Sequence, residues 1–271
     1  MDDLRPGEIG DYLARQSEAE SELLLIHRAD EPLVIFDIGA CEGEDSIRYA
    51  RRFPRAHVYA FEPLPENQRL IRDNFDRYQA INVELIPIAL SDRAGNADFH
   101  VSSGRPQEEF SGRDWNYGNK SSSLLPPASG QPMFGWIEFK SAISVACDTL
   151  DRFCAARSIS RIDFIHMDVQ GAEHLVLDGA KDMLPRCGAL WLEVSNREFY
   201  RGQKLRGDLE ALMRQNGFGL SQAISRGDEG DQFYVNRRFG RMRRYLARKR
   251  VEQVGRRLRG AASRFKRLLV S

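Results

Sequence analysis

Short apolar runs alternate along this chain with amphipathic stretches, and that alternation is what most restricts the folds open to it. "LVIFDIGA", "HVYAFEP", "VELIPIALSD", "IDFIHMDV" and "GALWLEVS" are built from β-branched and aromatic residues. Between them lie helical patterns such as "SIRYARRF", "PENQRLIRDNFDRY", "LDRFCAARS", "AEHLVLDGAKDML" and "DLEALMRQNGF". Strand and helix units of this length predict a parallel sheet with helices on both faces. "LSQAIS" and "QFYVNRR", joined by the turn-rich "RGDEGD", predict a closing hairpin. "EIGDYLARQSEAESELLLIHRADEP" predicts an acidic helix ahead of the first strand.

The alternation pauses after Ser91. "NADFHVSSG" and "WIEFKSAISVACDTL" read as strands, and the stretch between them, about 105–134, is rich in Gly, Ser, Pro and aromatics. A long aperiodic segment inside a compact domain is expected to be a lid or binding loop. Trp115, Tyr117 and Ser122 are its candidate substrate contacts, since aromatic faces suit sugar rings and serines offer adaptable hydrogen bonds. The boundaries expected are a helical segment over 1–32, a main domain over 33–236 and a tail over 237–271.

The net charge of +1 conceals two opposed halves. Residues 237–271 carry 14 Lys and Arg against the single acid Glu252, which leaves the rest of the chain acidic. In the tail, Phe239, Met242, Leu246, Val251, Val254, Leu258, Phe265 and Leu268 recur near helical spacing among arginines. This predicts a basic amphipathic helix docking on an anionic membrane surface. No apolar run reaches the roughly 18 to 20 residues that span a bilayer. The four cysteines show no metal or disulfide spacing. A cytoplasmic protein, peripheral on the inner face of the cell membrane, is the expectation.

"DIGACEG", between a strand and a helix, places Gly39 and Gly43 where a backbone turns tightly against a ligand. It is neither a Walker loop nor a full dinucleotide fingerprint. Glu62 follows 19 residues after Gly43, at the carboxyl end of the next strand, where an acid can hold ribose hydroxyls. His166 and Asp168, two apart, emerge on one face near the active end of their strand. Glu193 ends the fifth strand and completes the cluster if that strand lies beside the fourth. A general base at His166, with Asp168 orienting it and Glu193 accepting a substrate hydrogen bond, is the chemistry these types suggest. The cluster also admits Mg²⁺, which is not favoured because imidazole is an unusual ligand for so hard an ion.

In order and spacing, "DIGACEGEDS", "FEPLPEN", "ALSDRAGNADF", "SSSL", "CDTLDRF", "IDFIHMDVQGAEHLVLDGA" and "LWLEV" together resemble the FkbM family of S-adenosylmethionine-dependent methyltransferases. The resemblance implies a class I methyltransferase fold, a Rossmann-like three-layer α/β sandwich on a seven-stranded, mostly parallel sheet. It implies S-adenosylmethionine (SAM) as cofactor and O-methylation of sugars or natural products. Carried over, Asp37, Gly39 and Gly43 line the methionine end of the cofactor, Glu62 holds the ribose, and Ser91 and Asp92 flank the adenine. Asp168 and Glu173 match the acids of the Asp-Val-Glu/Gln-Gly-x-Glu signature, Glu173 counting with the substrate side. The position two before Asp168 is usually Lys in that family and is His166 here, which puts any role of that lysine in doubt. The tail also suits an RNA methyltransferase, but an Asn-Pro-Pro-Tyr-type amine site is missing and the acidic body repels nucleic acid. A non-catalytic scaffold on the same fold is the remaining alternative, and the retained Asp37, Gly39, Gly43 and Glu62 speak against it.

Overall fold

The computed structural model describes residues 9–104, 117–128, 135–249 and 251. Five parallel strands form the first part of the main sheet: β1 (Val34–Ile38), β2 (His57–Phe61), β3 (Val83–Ile86), β7 (Ile162–Met167) and β8 (Cys187–Ser195). The hairpin β9 (Phe218–Arg226) and β10 (Glu229–Asn236) completes it, giving the order β3-β2-β1-β7-β8-β10-β9 with β10 antiparallel to both neighbours. The seven-stranded, mostly parallel α/β sheet implied by the sequence is present.

Helices cover both faces: α3 (Glu44–Arg52), α4 (Pro65–Tyr78), α5 (Leu150–Ala156), α6 (Glu173–Asp178) and α7 (Arg206–Gln215). One apolar layer gathers Phe36, Ile38, Phe61, Ile165 and Leu190, and the other Ile35, Tyr49, Val58, Phe164 and Phe233. Alternate residues of the same strands supply the two layers, as the period of two requires.

Three sequence expectations are revised in detail. The N-terminal helix is two, α1 (Ile9–Ala14) and α2 (Glu18–Ile26), because Ser17 caps the second by accepting the Glu20 N–H at 3.1 Å. "VELIPIALSD" is not one strand. Pro87 cannot donate to a ladder, so the chain leaves the main sheet there, and β4 (Ala89–Leu90) joins β5 (Gly95–Ser103) and β6 (Glu138–Asp148) in a second sheet ordered β4-β6-β5. The helix expected through Leu184 stops at Asp178, where Gly179 gives its carbonyl to the Asp151 N–H at 3.0 Å and Asp151 accepts the N–H groups of Asp182 and Met183.

The basic tail begins as part of the body. Residues 240–249 are helical, and Met242 (1% exposed), Tyr245 and Leu246 pack into the second apolar layer beside Ala19, Leu23 and Phe233. Lys249 and Tyr245 both reach Glu22 of α2, and Arg241 reaches Glu31. Met242 and Leu246, expected on a lipid-facing stripe, are therefore core residues, because burying them against α2 removes more apolar surface from water than an exposed stripe would. Val251 is 73% exposed, and residues 252–271 lie outside the described residues.

Candidate active site

At the carboxyl ends of β1, β2 and β7 lies a cavity lined by Gly39, Cys41, Glu62, Asn67 and Asp168. Its polar wall is built by the β1–α3 turn. Gly39 has φ +89°, and a Cβ there would stand 1.9 Å from the Asp168 carbonyl oxygen, so only glycine lets the turn lie against the end of β7. Gly43, φ +80°, then caps α3 from the left-handed region, with the Phe75 ring 2.8 Å from where its Cβ would be. Glu62, 4% exposed, accepts the Cys41 N–H at 2.9 Å on one oxygen and the Leu64 N–H at 2.8 Å on the other. Burial pushes its carboxyl up to about 7 against the opposing pull of those N–H groups. Leu90, Phe99, Leu124 and Ile88 give the cavity an apolar end.

Ser121 to Leu124 lie over this cavity and are tied down. The Ser121 N–H donates to Ser102 Oγ at 3.1 Å, Ser122 Oγ accepts the Ser102 N–H at 3.0 Å, and Ser123 Oγ donates to the Gln170 carbonyl at 2.8 Å. Lys120 Nζ sits 3.1 Å from Glu44 Oε1 and 3.6 Å from Glu42 Oε1, on the β1–α3 turn.

A second cavity opens on the other side of Asp168, which lines both. Its floor is His166, Trp191, Glu193 and Asp231, its near side Asp45 and Arg48 of α3, and its outer wall residues 11–12 and 15–19 of the α1–α2 segment. Tyr12 donates to Asp45 Oδ2 at 2.8 Å and Arg48 donates to the Tyr12 carbonyl at 2.8 Å, which fixes that wall to α3. His166 Nδ1 is 2.8 Å from the Tyr49 hydroxyl and 4.0 Å from Asp45 Oδ2. Burial alone would depress the imidazole pKa, but Asp45, Asp37, Asp168 and Asp231 surround it and together raise it above its ordinary value. Gln170 donates its amide to both Asp168 (2.7 Å) and Glu193 (3.1 Å), with its own carbonyl 3.0 Å from the Tyr200 hydroxyl. Burial, then the charge of Asp168, holds the Glu193 carboxyl well above the usual carboxylate range.

The family description "Methyltransferase FkbM domain" matches residues 37–220. The chain belongs to the FkbM methyltransferase family. A 2-O-methyltransferase, NoeI of Sinorhizobium fredii, is 35% identical over 204 residues, covering 75% of this chain and 79% of that protein. The AMB antimetabolite synthetase AmbE of Pseudomonas aeruginosa is 31% identical over 205 residues, 69% of this chain but 10% of its own length. Among solved structures, the N-terminal domain of EvdMO1, determined in the presence of SAH and D-fucose, aligns with a TM-score of 0.44 and 14% identity over 82% of this chain and 83% of that one. At that distance nothing about its ligands transfers.

This FkbM methyltransferase is a SAM-dependent enzyme. The first cavity suits SAM: a buried acid with both oxygens anchored at the end of β2, an apolar end, and a glycine turn pressed to β7. Within it the sequence-predicted residues sort unevenly. Gly39 and Glu62 line the cavity, while Asp37 lies beneath it, beside His166 across the β1–β7 register, accepting Ser46 Oγ at 2.5 Å. Burial pushes Asp37 up to about 7, with His166 opposing. Ser91 and Asp92, expected at the adenine, line neither cavity. Ser91 donates its N–H to Asp148 and its hydroxyl to Asp92, because the break at Pro87 brings Ile88, Ala89 and Leu90 to the wall instead.

His166, Asp168 and Glu193 are brought together as expected. Glu173 is not with them. It is buried and gives one oxygen to the Val169 and Gly171 N–H groups, so it shapes the β7–α6 turn and lines neither cavity. Ser122 lines the first cavity rather than the second. Trp115 and the Tyr117 side chain lie outside the described residues. No group of three or more His, Cys, Asp or Glu side chains among the described residues is arranged to hold a metal ion. Tyr12, Asp45, Arg48, Trp191 and Asp231 were not singled out from sequence, and Asp231 carried only the weak signal of an acid opening a hairpin strand.

Proposed function

We propose that the methyltransferase acts on a hydroxyl of a sugar carried by a glycolipid, a polysaccharide or a glycosylated metabolite. The observation that carries this reading is the second cavity, which shares Asp168 with the cofactor cavity and is lined by carboxylates, arginines, Tyr12 and Trp191. Such a lining offers many acceptors and donors to a polyol and aromatic surface to its ring faces. SAM, when bound, supplies a methyl group made electrophilic by its sulfonium. The chain must align an acceptor oxygen and take its proton. His166 is assigned that proton: with Nδ1–H donated to Tyr49, Nε2 keeps a lone pair for the acceptor hydroxyl. Asp168 and Glu193, bridged by the Gln170 amide, hold the neighbouring sugar oxygens.

The test is transfer of labelled methyl from SAM by the purified protein to a panel of neutral methyl glycosides and to lipid and polysaccharide fractions. Label in a sugar O-methyl ether is expected. Label appearing only in RNA or in small amines would discard the sugar reading.

Docking on the anionic inner leaflet is proposed for residues 250–271 alone, since the helix ahead of them is core. Among the described residues no helix is long and apolar enough to cross a membrane. A chain ending at Lys249 is expected to stay folded, retain SAM binding and leave the membrane fraction. Persistent membrane association of that chain would refute the tail's role.

A further inference from the structure

Asn119 is 4% exposed, lies in the 3₁₀ turn Tyr117–Ser121 above the cofactor cavity, and is among the cavity's lining residues. Its side-chain carbonyl oxygen is buried and has no hydrogen-bond partner. Orphaned buried acceptors are uncommon in folded proteins and costly, so one carried by a residue that lines a ligand cavity points to a donor on the ligand.

The amide's orientation is fixed by its neighbours. Asn119 donates its NH₂ to the Asn67 side-chain carbonyl, and Asn67 lines the cavity together with Glu62. The Asn119 carbonyl is left at the far end of that amide with no partner. The turn itself is held in place before any ligand arrives, by Ser102 on the Ser121 N–H, by the Tyr200 hydroxyl 2.7 Å from the Ser121 carbonyl, and by Lys120 against Glu44. A preorganised acceptor of this kind loses little entropy when its partner binds.

We propose that Asn119 is a cofactor-binding residue whose side-chain carbonyl accepts a hydrogen bond from a ribose hydroxyl of SAM. The bond to Asn67 places it beside the acid that grips the ribose, and the two residues divide the vicinal hydroxyls between them. This rests on Glu62 holding the ribose, and the turn is thereby part of the cofactor site rather than of the acceptor site.

The test is calorimetric binding of SAH and of its 2′-deoxy and 3′-deoxy analogues to the full chain, to Asn119→Leu and to Glu62→Gln. Asn119→Leu is expected to weaken SAH about 10- to 100-fold, as for loss of a hydrogen bond to a buried polar group, while binding one deoxy analogue as well as the unaltered protein does. Unchanged SAH affinity would overturn the proposal, as would an equal loss for SAH and both analogues. If Glu62→Gln shows no dependence on the hydroxyls while Asn119→Leu does, the ribose role of Glu62 falls and that of Asn119 stands. Asn119→Ser, which keeps an oxygen with shorter reach, replaces the Leu variant should that one fail to fold, with the same pattern expected at smaller size.

Discussion

His166→Ala is expected to lower kcat by roughly 10²- to 10⁴-fold, the range a positioned general base contributes, with SAM affinity nearly unchanged. The separation follows from position: His166 lines the second cavity and is not among the residues of the first. The pH dependence supplies the sign. A base works unprotonated, and the four surrounding carboxylates raise the imidazole pKa above its ordinary value, so the rate should climb with pH through a midpoint above about 6.5. In His166→Ala that limb should disappear. Initial rates across pH with labelled SAM check both parts. Near-normal turnover with the limb intact would move the base to Asp168.

Gly39→Ala is expected to be the most damaging single methyl group in the chain. Backbone at φ +89° costs a non-glycine residue roughly 1 to 3 kcal/mol. The added carbon would also lie 1.9 Å from the Asp168 carbonyl oxygen, a backbone atom held by the 3.0 Å bond from Asp168 N–H to the Ile38 carbonyl. Relieving that overlap requires parting β1 from β7 at the point where both ligand cavities meet, a further roughly 1 to 3 kcal/mol. Denaturant unfolding should show a loss of several kcal/mol, and calorimetry should show no SAM binding in whatever fraction folds. Gly43→Ala is the comparison. Its methyl meets the edge of the Phe75 ring, a side chain that can give way, so the loss should be smaller. Equal damage at the two positions would show that the left-handed backbone, not the contact between β1 and β7, sets the cost.

Local chemistry was the legible part of this sequence. Each parallel strand of the main sheet lies in a largely apolar run, and "DIGACEG" with Glu62 announces a ligand at the strand ends because those spacings act within one βαβ unit. His166, Asp168 and Glu193 could be grouped since strand periodicity and neighbouring order sufficed. The rest depends on contacts with no local period. Tyr12 reaches Asp45 across 33 residues and Asn119 reaches Asn67 across 52, and nothing in the intervening sequence marks either pair. Pro87 was visible as a strand breaker, but which sheet receives the chain after it was not. In the tail the periodicity was real and its partner was misjudged: a stripe spaced for a helix fits a lipid surface and a protein core equally well, and α2 supplied the core.

Asp168 stands in the partition between two chambers whose coverings come from unrelated parts of the chain, the serine-rich turn on one side and the α1–α2 segment on the other. The two coverings have no residue in common. Two chambers with separate linings that meet at one side chain let an occupant of the first be exchanged without crossing the second.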